Sequence, residues 1–305
     1  MGPVGWEVAR PRGVGRVAGV AMAGFRVPGV EAGGLRVVPH PAVMLIVEFG
    51  PGGSVVEDAA GRAQRGSLVA GVGFGAGGGV RGRGEDVRCV QVRLSPLDAP
   101  RLLGAPAGEL GGAMTALEDL WGPEGTRLRE RLAEIPSWQG RFAAVDALLA
   151  RRRAAPGARP AAVDPEVAWA WHRIVAGQGR VRVEELAAEV GWSRKRLWAR
   201  FQAQTGLPPK RAARLVRFDR AAHRLVTGGA PARVAAAGGY ADQSHLHRDV
   251  MAFAGVTPAG VTAERFLAVD EFAWPGAAGA AGAPGAAGAA LTRPPAAARR
   301  SRPGR

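Results

Sequence analysis

Two stretches of the chain repeat one spacing of residue types, and this internal repeat constrains the fold more than any other feature. The copies span residues 187–209 and 235–258. The first consists of Ala187, Gly191, Trp192, Ser193, Leu197, Phe201, Gly206, Leu207 and Pro209, and the second of Ala235, Gly239, Tyr240, Asp242, Leu246, Val250, Gly255, Val256 and Pro258. The second copy has one extra residue after its aromatic position. A match of this length predicts that one structural unit is built twice.

Each copy predicts a helix, a tight turn and a second helix. In the first copy, Ala187 is small where two helices cross, and Gly191 supplies the positive φ that ends the first helix. Ser193 is a favourable N-cap for the second helix. Leu197 and Phe201, four residues apart, point its apolar stripe inward. The matching residues of the second copy have the same roles, so the repeat predicts two helix-turn-helix units.

The outward face of each second helix is polar or basic. In the first copy this face holds Lys195, Ala199 and Gln202, flanked by Arg196 and Trp198; in the second it holds Ser244, Arg248 and Met251, flanked by His245 and His247, with Gln243 in the first turn. Such a helix fits the DNA major groove, where Arg and Lys bind guanine and Gln binds adenine. Residues near the N-terminus of the helix meet the base edges.

The segment between the copies, residues 209–226, predicts one amphipathic helix. Its apolar side holds Leu215, Phe218, Ala222 and Leu225, and its arginines, Arg211, Arg214, Arg217, Arg220 and Arg224, lie largely elsewhere. At 1.5 Å per residue this helix is roughly 27 Å long, whereas successive major grooves lie about 34 Å apart. A spacer of this length is suited to a bipartite DNA site. For Arg214 and Arg217 two interpretations stay open, namely phosphate contacts or ion pairs with Asp219 and other acids.

The rest of the chain predicts an α+β protein with two domains. Residues 1–155 form a mostly β, sensor-like domain, with strands to about residue 95 and helices after it. A linker at 156–164 precedes an all-α DNA-binding domain at 165–270. The Gly/Ala/Pro-rich basic end, 271–305, is expected to be disordered.

Charge and composition favour an intracellular protein that binds nucleic acid. The formal net charge is +15, and residues 156–270 carry +7, from 17 basic and 10 acidic residues. That segment would attract a polyanion. The single cysteine, Cys89, excludes an intramolecular disulfide, and the apolar run at 17–25 lacks a clear signal-peptide cleavage site. The expected location is therefore the cytoplasm, in association with the nucleoid and without a membrane segment.

The two repeat copies and parts of the N-terminal half resemble a known protein family. "VEELAAEVGWSRKRLWARFQAQTGLPPKRAARLVRFDRAAHRL" and "VAAAGGYADQSHLHRDVMAFAGVTPAGV" resemble the DNA-binding domain of AraC/XylS bacterial transcription regulators. "LLGAPAGEL", "LEDLWG" and "LRERL" resemble the variable domain of actinobacterial members. The resemblance implies two helix-turn-helix subdomains joined by a long helix, promoter binding, and an N-terminal domain that senses a small molecule or a partner.

The resulting predictions name a DNA surface and a set of partners. The predicted DNA contacts are Arg194, Lys195, Arg196, Trp198, Arg200, Arg217, Gln243, Ser244, His245, His247 and Arg248. The partner is double-stranded promoter or operator DNA, with RNA polymerase, a small-molecule effector and a second copy of the chain as further candidates. No catalytic residue, cofactor or metal is predicted, and the function expected is that of a sequence-specific transcription regulator, an activator or a repressor, not an enzyme.

A few other features of the sequence admit a different interpretation. His245 and His247 lie some 200° apart on a helix and cannot hold one metal ion together. "GFGAGG" (73–78) matches a dinucleotide fingerprint, but a strand follows where that motif needs a helix. Cys89 is expected to be a small buried hydrophobe, although a redox or alkyl-acceptor role is an alternative. The rival functions are a non-specific architectural DNA-binding protein, and a DNA-repair or metabolite enzyme that uses Cys89.

Overall fold

A computed structural model describes residues 5–13, 15–29, 34–58, 60–77, 80–155, 163–264, 267, 269–270 and 273–274. The N-terminal half is an antiparallel sheet with helices packed against it, and the C-terminal half is helical. The predicted α+β fold is therefore confirmed. None of the helices in these ranges is long and apolar enough to cross a membrane.

The sheet is organised around one long central strand. The strands are β1 (Glu7–Ala9), β2 (Val20–Gly29), β3 (Leu35–Arg36), β4 (Val43–Glu48), β5 (Gly53–Glu57), β6 (Ala63–Arg65), β7 (Leu68–Ala70), β8 (Arg81–Leu94) and β9 (Met114–Ala116). β8 pairs with β2, β3, β4 and β5. The apolar run at 17–25 leads into β2, whose Gly24 pairs with Val90 of β8 at the centre of the sheet.

Side chains alternate between the two faces of this sheet. Val90 and Val92 on β8, together with Leu45 on β4, pack in the core that includes the helices. Their neighbour Cys89 belongs to a separate apolar cluster on the opposite face, and Ile46 packs against that cluster. This alternation follows from the two-residue period of a strand. Cys89 is buried, as its apolar surroundings predict.

Among the described residues, five helices follow or flank the later strands of the N-terminal domain. They are α1 (Ala99–Leu103), α2 (Ala107–Leu110), α3 (Leu117–Trp121), α4 (Pro123–Glu134) and α5 (Trp138–Ala154). The prediction of helices alone after about residue 95 is wrong at β9, which pairs with β7. A strand of three residues is too short to display a two-residue period, so the sequence pattern could not reveal it.

The C-terminal helices reproduce the predicted double unit. They are α6 (Pro165–Ala176), α7 (Val183–Glu189), α8 (Arg194–Thr205), α9 (Pro209–Val226), α10 (Pro231–Gly238), α11 (Gln243–Ala254) and α12 (Pro258–Thr262). Gly191 and Gly239 adopt φ values of 70° and 72° in the two turns. The Ser193 and Asp242 side chains accept hydrogen bonds from the backbone N–H groups of Arg196 and His245. Helix α9 has the bounds that its apolar pattern predicts.

The start of the expected disordered end is packed against the N-terminal domain. Val269, Ala273 and Trp274 are buried in one cluster with Phe25 and Cys89. The expectation of disorder from residue 271 therefore does not hold for Ala273 and Trp274, because a tryptophan gains much from burying its large apolar surface. The rest of that prediction, residues 271–272 and 275–305, and linker residues 156–162 lie outside the described residues.

Candidate nucleic-acid interface

Helix α8 presents a basic N-terminal half to solvent. Leu197 and Phe201 are fully buried and fix the rotation of the helix. The exposed residues are Arg194, Lys195, Arg196, Trp198, Ala199 and Arg200. Half of the Trp198 surface, 50%, is exposed, which is unusual for so large an apolar side chain. Helices α8 and α11, which are predicted to contact bases, are called the reading helices below. The first of them, α8, leaves its predicted DNA-contacting residues accessible.

Helix α11 has the same arrangement. Leu246 and Val250 are fully buried. The side chains on the outer face are exposed: Gln243, Ser244, His247, Arg248 and Met251. Met251 alone among them is apolar, with 41% of its surface exposed. The second reading helix is therefore also accessible at its N-terminal half.

Two residues predicted to contact DNA are instead engaged inside the domain. Arg217 donates to the carboxylate of Asp249 at 3.1 Å, and its guanidinium lies 4.5 Å from the centre of the Tyr240 ring. His245 packs edge-on against Tyr240, with the ring centres 5.2 Å apart. Arg214 donates to the same carboxylate at 2.7 Å. Of the two interpretations left open for Arg214 and Arg217, the structure shows the ion pair, and the acid is Asp249 instead of Asp219.

Three arginines of α8 are held by neighbouring side chains. The Arg200 guanidinium donates to Asp164 at 2.6 and 2.8 Å, and these hydrogen bonds raise the pKa of Arg200. Arg194 pairs with Glu184 at 3.4 Å, and Arg196 lies 4.4 Å above the Trp192 ring. All three arginines remain exposed. A phosphate would therefore have to share or replace Asp164 and Glu184 as a partner.

A buried group of charged side chains joins the two halves of the molecule. It comprises His40 and Arg93 from the N-terminal domain, Asp219 and His223 from α9, and Asp270. His40 Nδ1 lies 2.9 Å from the Asp219 carboxylate, and Arg93 donates to Asp270. The structure gives His223 a structural role, with both ring nitrogens facing acceptors inside this group. Nothing in the local sequence of His40, Arg93 or Asp270 indicated this group, because its members come from distant segments.

The charge states in this group follow from its geometry. His223 Nδ1 faces the backbone oxygen of Asp219 at 2.7 Å, and Nε2 faces the Asp270 carboxylate at 2.9 Å. Both ring nitrogens must therefore donate, which requires the imidazolium form. Although burial opposes the charge, Asp219 and Asp270 raise the pKa of His223 to about 9. Burial likewise opposes the charge on Asp270, but Arg93 and the two histidines hold its pKa below the ordinary value.

The C-terminal ends of both reading helices rest on the N-terminal domain. At the end of α8, a Cβ added to Gly111 would lie 2.5 Å from the backbone oxygen of Gly206. At the end of α11, the Gly77 N–H donates to the oxygen of Ala252 at 2.9 Å, and Arg36 donates to that of Ala254 at 3.2 Å. The N-terminal domain thus supports both units and leaves the opposite ends of their reading helices exposed.

Comparisons with known proteins agree with this architecture. Residues 186–263 match the family model of a helix-turn-helix domain. A comparison with curated proteins finds no match. The assignment to actinobacterial members stays a prediction.

Several solved structures are similar to the chain at low sequence identity. The C-terminal domain of AraT, a response regulator from Geobacillus stearothermophilus, is 21% identical, with 34% of this chain and 89% of that chain covered and a TM-score of 0.32. ToxT from Vibrio cholerae is 10% identical over 86% of this chain and 97% of its own, with a TM-score of 0.41. ToxT bound to an unsaturated fatty acid is 10% identical over 87% and 97%, with a TM-score of 0.40.

The assignment therefore rests on the family match together with the doubled helix-turn-helix geometry described above. The C-terminal region of the chain carries a helix-turn-helix DNA-binding domain, in which the helix-turn-helix unit is built twice.

Proposed function

We propose that the chain reads a specific promoter sequence by placing α8 and α11 in two successive major grooves. The observation that carries this proposal is the exposure of the polar N-terminal halves of both helices, while both C-terminal ends are packed against the N-terminal domain. Helix α9, with 18 residues, separates the two units. Its length of roughly 27 Å is compatible with neighbouring turns of B-form DNA.

The residues divide into two roles. Lys195, Arg196, Trp198, Gln243, Ser244, His247 and Arg248 would contact base edges or the groove surface. Arg194 and Arg200 would contact phosphates after exchanging their acidic partners, and such contacts make affinity fall steeply with salt. Arg217 and His245 would act on DNA binding mainly by holding α9 against α11, because the carboxylate of Asp249 and the Tyr240 ring already engage them.

The N-terminal domain would regulate this activity in response to a small molecule. The residues from Val37 to His40 and from Ala70 to Phe74 include several that line an internal cavity of that domain. Neighbouring residues Arg36 and Gly77 contact the end of α11. A ligand in the cavity would therefore contact residues next to the segments that support α11.

Selection of binding sites from a random DNA pool, followed by footprinting, tests the proposal. We expect two protected half-sites about one helical turn apart. Specific DNA should be bound roughly a thousand-fold or more tightly than competitor DNA. Protection of a single short patch would exclude reading by both helices.

A non-specific architectural protein is the second candidate, favoured by the basic charge of residues 156–270. It predicts no enriched sequence in the same selection and nearly equal affinity for all duplexes.

A further inference from the structure

The N-terminal domain contains an internal cavity with a mostly apolar wall. The cavity lies against the sheet face that carries Phe25 and Cys89, and its volume is about 130 Å³. Trp6, Phe25 and Phe74 are among its aromatic lining residues. Few ionisable side chains reach it, namely those of His40, Glu48, Arg83 and Cys89 among the described residues. A cavity of this kind holds a small, largely apolar molecule, whose orientation is set by the few polar groups.

Glu48 is the buried acidic group of this cavity. It is the last residue of β4 and pairs in register with Cys89 of β8, and only 5% of its surface is exposed. Its carboxylate accepts hydrogen bonds from the Ser54 hydroxyl and from the Ser54 backbone N–H, the latter at 3.2 Å. Nearby arginines pair with other acids, Arg83 with Glu57 and Arg88 with Asp86. Across the described residues, Glu48 has no ion-pair partner within 4 Å.

The nitrogen-bearing ionisable side chains at the cavity wall already have acidic partners. His40 is engaged through Nδ1 by the Asp219 carboxylate. Arg83 is half exposed and bound to Glu57. An anionic ligand would therefore meet an arginine and a histidine that already have acidic partners, whereas a cationic ligand would meet a carboxylate with no ion-pair partner among the described residues. A buried carboxylate gains much from an opposite charge that supplies hydrogen bonds.

We propose that this cavity binds a small hydrophobic cation, in which one ammonium group contacts Glu48 and an aromatic or short aliphatic skeleton fills the apolar wall. Aromatic rings such as Trp6 and Phe25 favour this class further, because a ring face attracts a cation. The proposal deepens the sensor role of the N-terminal domain and rests on that role only for its effect on DNA binding. The binding itself is a property of the cavity.

Three probes with one skeleton test the charge preference on the full-length protein. Phenethylamine, phenethyl alcohol and hydrocinnamate place an ammonium, a hydroxyl and a carboxylate on the same phenyl-ethyl group. Calorimetric titration without DNA should give a dissociation constant for the amine at least ten times lower than for the other two, roughly the effect of one charge-assisted contact. Comparable or tighter binding of the alcohol or the acid, or undetectable binding of the amine at millimolar concentration, overturns the proposal.

Two matched variants locate the preference at Glu48. Glu48→Gln keeps the size of the side chain and removes its charge, so it should abolish the tenfold preference for the amine. Glu85→Gln removes one exposed carboxylate from the same domain and should keep the preference. A preference that survives in Glu48→Gln contradicts the proposal. Thermal unfolding of each variant shows whether it is folded. If Glu48→Gln does not fold, the comparison of the three probes on the unaltered chain still tests the proposal.

The design separates this proposal from the proposed function. Because the titration contains no DNA, failure of sequence-specific DNA binding leaves its result unaffected. Amine binding that leaves DNA affinity unchanged would support the cavity assignment and count against the sensor role alone.

Discussion

His223 Nε2 lies 2.9 Å from a carboxylate oxygen of Asp270, and both side chains are almost completely buried. This contact connects the long helix of the DNA-binding region to a segment that packs on the N-terminal sheet. Its strength depends on the proton of His223, so the joint between the two halves of the molecule is sensitive to pH.

Stability should fall as the pH rises from about 6.5 to about 9. The pKa of His223 is raised from 6.5 to about 9, so the folded state holds its proton more tightly than the unfolded state does. The resulting stabilisation is complete below pH 6.5 and is lost as the pH passes through the folded-state pKa, a change of about 3 kcal/mol. Urea unfolding at several pH values measures it. His223→Gln should flatten the profile, whereas a similar change at exposed His247 should not.

Arg248→Ala should weaken binding at one base position. Arg248 is exposed on the outer face of α11. If it contacts a base edge, its loss costs about 1–3 kcal/mol at a single position of the site and relaxes the choice of base there. Competition binding with a set of single-base variants of the selected site measures this. An equal loss for every sequence would reassign Arg248 to the DNA backbone, and Arg129→Ala, at an exposed position of α4, is the control.

Asp249→Asn should destabilise the second unit. The Asp249 carboxylate is buried and accepts hydrogen bonds from both Arg214 and Arg217. Weakening these charged hydrogen bonds should cost about 1–3 kcal/mol of unfolding free energy. Chemical denaturation measures the loss. Asp119→Asn, at an exposed position of α3, should change stability little, and an equal effect of the two substitutions would show that the ion pair contributes nothing specific.

Cys89 should react slowly with alkylating reagents in the folded protein. Burial, and secondarily the charge of Glu48, raise the pKa of its thiol to about 12, so the thiolate is scarce at pH 8. Mass spectrometry after iodoacetamide treatment should show at least a hundred-fold slower labelling without urea than with it. Rapid labelling of the native chain would revive the hypothesis of a reactive Cys89.

The sequence predicted the DNA-binding region well because its information is local. Gly191, Ser193 and Leu197 define a turn, a cap and a buried stripe within seven residues, and the second copy repeats them. The bounds of α9 follow for the same reason, since Pro209 opens the helix and the apolar period continues to its end.

Long-range partners could not be predicted in the same way. Arg217 lies on the polar side of its helix, and nothing nearby in sequence indicates that Asp249 and Tyr240 enclose it. The same holds for Glu48, whose apolar neighbours in β4 predict a strand but not which of its faces borders a cavity. Trp274 was missed because one large side chain at the edge of a low-complexity segment leaves no periodic signal.

The contact between Gly111 and Gly206 offers a means of separating the two halves of the molecule. Gly111 has an ordinary φ of −67°, so alanine is compatible with its backbone, but the added methyl carbon would lie only 2.5 Å from the oxygen of Gly206. One added carbon atom at this point would act as a wedge under the C-terminal end of the first reading helix. Because α11 rests on Arg36 and Gly77 and not on this contact, the added methyl group would displace the first reading helix without acting directly on the second.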